Sequence, residues 1–99
     1  MKDDLFKTGY SIITNIDKTS ESLYQRKVES DSMLQIVIKQ ITLFSQLIMD
    51  GENTFDEDLL KRWASSNNML MDAIYKQDIV LIADILHFEV RPVMQAFIE

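Results

Sequence analysis

Apolar side chains return every three or four residues along almost the whole chain, and that period leaves little besides helices to build with. Glycine occurs twice and proline once in 99 residues, so tight turns are few and the helices must be long. In the first segment Leu5, Phe6, Ile12, Ile13, Ile16, Leu23 and Tyr24 form one stripe, with Gly9 and Ser20 in register. The stretch "DKTSES" at 17–22 is thin in apolar residues, which predicts a bend or a frayed turn there. Ser30 and Asp31 are good N-cap residues and mark a break after Val28.

A second helix follows on Met33, Leu34, Val37, Ile41, Phe44 and Ile48, its stripe widened by Ile36, Ile38, Leu43 and Leu47. A helix so broadly apolar packs on more than one neighbour. The run "QIVIKQITLF" is β-branched enough for a strand by propensity, but its length and flanking caps predict helix. Gly51 can take the left-handed conformation that ends this helix. Thr54 and Glu57 then have the spacing of a capping box, with Asp56 and Asp58 beside the positive end of the helix dipole. The third helix carries Leu59, Leu60, Trp63, Leu70, Ala73 and Ile74, its stripe interrupted at Asn67. Asp78 caps a fourth, whose stripe is Ile79, Ile82, Leu86, Val90, Val93 and Phe97. Pro92 lies inside that pattern, so this helix either stops near Glu89 or kinks and resumes. Short connections favour antiparallel neighbours, and the expected fold is an all-α, antiparallel up-down four-helix bundle, one domain over 1–99.

Composition then removes whole classes of function. Without cysteine there is no disulfide, thiolate metal site or cysteine nucleophile. The start "MKDDLFKTGY" has aspartates where a signal peptide needs an apolar run, and the longest uninterrupted apolar run is only 79–83. The expectation is a soluble, cytoplasmic protein. Sixteen acids against ten bases give a net charge of −6, and the bases never cluster beyond pairs such as Arg26-Lys27 and Lys61-Arg62. Nucleic acid and anionic membrane both require grouped Lys and Arg, so neither is expected as a partner.

The only histidine sits in "DIVLIADILHFEVRP", where Asp84 and His87 are three residues apart on one helix face. Di-iron bundles use such a carboxylate–histidine spacing twice, with two further glutamates, and a single histidine cannot supply it. No Gly-x-Ser-x-Gly elbow and no glycine-rich phosphate loop is present, so no catalytic residue, cofactor or metal is expected. Asp84, His87 and Arg91 read instead as a structural network along one helix edge. Six methionines and Trp63 supply flexible and bulky apolar surface; Met69 continues the third stripe, while Met49 and Met71 are candidates for an exposed patch.

The segment "YKQDIVLIADILHFEVRPVMQAF" resembles a signature in small helical domains of Gram-positive bacteria. Its elements here are Asp78, Ala83-Asp84, Leu86, Phe88-Glu89 and Pro92. Some of those domains occur as the tail of motility-linked proteins, and the resemblance implies a helical accessory domain with no assigned chemistry. By size, acidity and helical pattern the chain is also similar to flagellar export chaperones, a likeness of fold alone.

The function expected is a non-enzymatic interaction domain that binds a partner helix or a second copy of itself as a homodimer. Its groove is expected around Met49, Trp63, Met71, Phe88 and Phe97, with Glu89 and Arg91 at the rim. The competing reading is a small enzyme or metal-binding bundle using Asp84 and His87.

Overall fold

The computed structural model describes residues 2–50 and 55–99, the side chains of 2 and 3 excepted. Four helical rods are formed: α1 (Lys2–Tyr24), α2 (Ser30–Asp50), α3 (Glu57–Tyr75), and a fourth made of α4 (Ile79–Ile85), a π-helical turn (Leu86–Val90) and α5 (Arg91–Ile98). Among the described residues there is no strand, and the β-branched run of α2 is helical throughout. The molecule measures 39 × 22 × 18 Å, its long dimension a little more than the roughly 35 Å that the 23 residues of α1 span at 1.5 Å each.

The backbone of α1 approaches α2 and the fourth rod closely, and α3 approaches the fourth rod. Between α2 and α3 the contact is made by long side chains, chiefly Phe44 against Trp63 with ring centroids 5.4 Å apart. One cluster of buried apolar residues runs through all four rods, with Phe44, Ile12, Ile16, Leu86 and Met94 fully enclosed. At one end it becomes aromatic. The Phe97 ring meets Phe44 and Trp63 at 6.0 Å and Phe55 at 5.0 Å, all edge to face. Trp63 donates its indole N–H to Ser45 Oγ at 2.9 Å, so its one polar atom is satisfied inside the core. Gly9 lies at the same end because the backbones close up there. A Cβ on it would stand 2.8 Å from Ile98 Cγ2 and 3.2 Å from Phe44 Cε1.

The predicted weak point at 17–22 is unbroken helix. Thr19, Ser20 and Ser22 are buried there, because small side chains are what fit where α1 is flanked by two rods. Ser22 and Ser30 share a hydrogen bond of 2.8 Å that ties the end of α1 to the start of α2. Helix α3 also runs straight through Asn67, which with Ser66 donates back to the Trp63 carbonyl at 2.7 and 2.9 Å.

Two helix ends use left-handed residues that are not glycine, Arg26 (φ 54°) and Gln77 (φ 55°). Lys27 N–H reaches the Ser22 carbonyl and Arg26 N–H that of Leu23, both at 3.1 Å; Asp78 and Gln77 repeat the pattern on Ala73 and Ile74. These are the paired bonds of a Schellman cap. Asp78 caps the fourth rod as predicted, accepting from Leu81 N–H at 3.1 Å. Helix α3 is capped by Asp56, which accepts from Asp58 N–H at 3.1 Å; Thr54 of the predicted capping box, and Gly51, lie outside the described residues.

Pro92 neither stops nor breaks the fourth rod. Arg91 N–H donates to the Leu86 carbonyl five residues back, widening the turn. A regular α-helix would drive the proline ring into the carbonyl four residues earlier, and one wide turn relieves that clash while the helix continues for eight residues more.

Candidate functional site

The π turn does more than accommodate proline, because its outer surface faces the second half of α1. Asp17, Ser20, Glu21 and Tyr24 recur at i, i+3, i+4 and i+7, one face of α1. With His87 and Arg91 from the opposite rod they line an open cleft of about 300 Å³. Deviations from α-helical winding such as this one gather at functional sites.

Cross-helix bonds hold the cleft at both ends. The Arg91 guanidinium donates through Nε to Asp17 Oδ1 at 2.7 Å and through Nη1 to Gln95 Oε1 at 3.0 Å. The Tyr24 hydroxyl donates to Asp84 Oδ1. That acceptor carboxylate, helped by burial, pushes the Tyr24 phenol up from 10.0 to about 12, because ionising it would break the bond and place two anions together. Between these posts lies Ser20, only 2% exposed, whose Oγ finds no hydrogen-bond partner among the described residues. Buried hydroxyls are rarely left so. Glu21, at the edge, accepts a 3.3 Å bond from the Gln25 amide and no other side-chain bond among the described residues.

The network expected along the fourth rod is therefore not the one formed. Asp84 and Arg91 each take a partner from α1, and neither bonds His87. A neighbouring helix can present a hydroxyl or carboxylate head-on, whereas residues three or seven apart on one helix project side by side. His87 is exposed, its ring 4.5 Å edge to face from Phe88. Among the described residues no three His, Asp or Glu side chains are grouped as a metal site would need.

The predicted groove residues do not gather on one surface. Trp63 and Phe97 are interior, packed on each other in the aromatic cluster, so their bulk fills the core instead of lining a groove. Met49, Met71 and Phe88 are exposed, on α2, α3 and the π turn respectively. Glu89 is exposed too, while Arg91 is half-buried at the cleft. Sequence reasoning passed over Asp17, Ser20, Glu21 and Tyr24. The signal was there in the polar residues at helical spacing, but a solvated face has the same pattern.

A further apolar stretch lies on α2, where Ile36 is 54% and Leu43 48% exposed. Seven residues apart, they share one face and line shallow grooves against α1, beside Asn15 and Thr19 and beside Lys7 and Ser11. By length and composition alone α2 could cross a membrane, with a mean hydropathy of 1.3 over its best window; in this fold Leu34, Val37, Ile41, Phe44 and Ile48 are turned to the core.

No curated protein and no solved structure matches the chain. A family model described as Domain of unknown function (DUF8042) matches residues 8–99, nearly the whole of the helical array described above. The chain belongs to the DUF8042 family.

Proposed function

We propose that this chain is a non-enzymatic helical domain that receives an amphipathic helix, from a partner or from a second copy of itself, along the α1–α2 face. The observation that carries this reading is the exposed pair Ile36 and Leu43 over grooves that continue down the α1–α2 seam. Anchors seven residues apart suit a helix laid in a groove. The reading includes an antiparallel up-down arrangement of the rods. It is supported by pairings that run in opposite senses: Gly9 with Ile98, Asp17 with Arg91 and Tyr24 with Asp84 on one side, Asn15 with Gln40 and Ser22 with Ser30 on the other.

Sedimentation velocity across micromolar concentrations tests the self-association branch. Wild type is expected to associate with concentration, and Ile36→Glu with Leu43→Glu to return it to an 11.6 kDa monomer. Both residues are half exposed, so the double variant should keep its helical circular dichroism. Association that survives both substitutions would show that the α2 face is not the surface. A strict wild-type monomer would discard the second copy as occupant.

A further inference from the structure

The cleft between α1 and the π turn lies away from the α2 face and asks for a different kind of occupant. Ser20, which lines it, carries a buried hydroxyl with no partner among the described residues. Such a group is costly to keep and is expected to find a hydrogen-bond partner. The sign of charge around it selects the partner. Arg91 is committed to Asp17 and Gln95, and the Tyr24 hydroxyl spends its one hydrogen bond as donor on Asp84. What remains unbalanced is Glu21, which makes no ion pair among the described residues. An anion entering here would face Glu21 and, behind the Tyr24 phenol, Asp84. A cation would meet one free carboxylate, the second oxygen of Asp17 and the lone pairs of Ser20. The Tyr24 ring and the methylene stems of Gln25 and Arg91 form walls that suit an alkyl chain, and an aromatic face also attracts a cation.

We propose that this cleft binds a protonated amine or guanidinium group on an alkyl stem, whether carried by a free small amine or by a Lys or Arg side chain of another protein. The cation donates to Ser20 Oγ and Glu21, and its stem lies against Tyr24.

The test is an amide-resolved NMR titration of the whole chain with butylamine hydrochloride, agmatine and Nα-acetyl-lysine methylamide, with sodium butyrate as the anionic control. Saturable shifts at Ser20, Glu21, Tyr24 and His87 are expected with the cations, in the millimolar range that a handful of heavy atoms can reach. Butyrate is expected to produce none. Glu21→Gln, on an exposed position, should weaken binding by roughly threefold to fivefold, as for other exposed ion pairs. Ser20→Ala should weaken it by roughly twofold to tenfold. Binding of the free amines alone would identify a small-molecule ligand, and equal or tighter binding of the capped lysine a protein side chain; each upholds the site. Butyrate binding as well as butylamine, no saturation by any cation at about 100 mM, or a Glu21→Gln variant that binds unchanged would each overturn it.

Discussion

The two ends of α1 meet the fourth rod under opposite conditions. Around Gly9 the helices are so close that a single methyl group would collide with Ile98, and the surrounding space is filled by Phe44, Trp63 and Phe97. Around Ser20 the same two rods leave an open cleft at their outer edge, crossed by Arg91–Asp17 and Tyr24–Asp84. One end is closed by aromatic packing; the other adds hydrogen bonds across an opening and holds a hydroxyl with no partner among the described residues. The difference indicates where the fold's stability is concentrated and where it has been given up for something else.

Removing packing from the tight end should have the largest consequence. Phe44 is wholly buried and touches both Trp63 and Phe97 edge to face. Phe44→Ala should therefore destabilise the protein by about 3–5 kcal/mol, through lost transfer energy and the cavity left behind. Urea unfolding followed by circular dichroism measures it. A loss below about 1 kcal/mol, the range of an ordinary surface change, would mean that the aromatic end is not the mechanical centre of the fold.

At the open end the expected sign is reversed. Ser20→Ala removes a buried hydroxyl with no partner among the described residues, together with its desolvation cost. Alanine also suits a helix interior better than serine. The variant should be more stable by about 1 kcal/mol, seen as a higher urea midpoint with an unchanged slope. Alongside the weaker binding expected of the same variant, this is the exchange of stability for function that binding sites commonly show. A clear loss of stability in Ser20→Ala would instead give the hydroxyl a structural partner and erase the contrast between the ends.

The contrast was only half legible in the sequence. The core is written in helical periodicity: Ile12, Ile16, Val37, Phe44, Leu70, Leu86, Val90 and Phe97 all lie on the predicted stripes and all are buried. The cap at Asp78 could also be read, since its cause is local. The two Schellman caps could not, because Arg26 and Gln77 occupy positions where glycine is the usual signal. The wide turn before Pro92 left two outcomes open, since sequence reports the clash but not how the helix relieves it. The cleft was least visible. Asp17, Ser20 and Glu21 fall in a stretch that reads as a weak point, and Tyr24 reads as part of the core stripe, until α5 brings Arg91 against Asp17 in a pairing that crosses 74 positions. For the same reason Trp63 and Phe97, bulky enough to anchor a partner, proved to anchor the core.

The smallest effect concerns the bond between Tyr24 and Asp84, and alkaline pH reads it separately from packing. The folded state holds the Tyr24 phenol at about 12 against 10.0 for a free tyrosine, the hydrogen bond to Asp84 being the main cause. The neutral phenol is the form that the fold favours, so the bond's contribution is complete below pH 10. Between 10 and about 12 the unfolded chain releases this proton while the folded chain keeps it. Stability must then fall as pH rises through that window. Tyr24 is 43% exposed, so solvent screens the interaction and the fall should be shallow. Other groups titrate in the same range, and the informative quantity is the difference in urea midpoint between wild type and Tyr24→Phe, followed from pH 9 to 12. Wild type should lose its advantage across the window and show a late-titrating phenol in absorbance near 295 nm that the variant lacks. Parallel curves would mean that the bond contributes nothing, leaving Arg91–Asp17 as the polar link that matters at the open end.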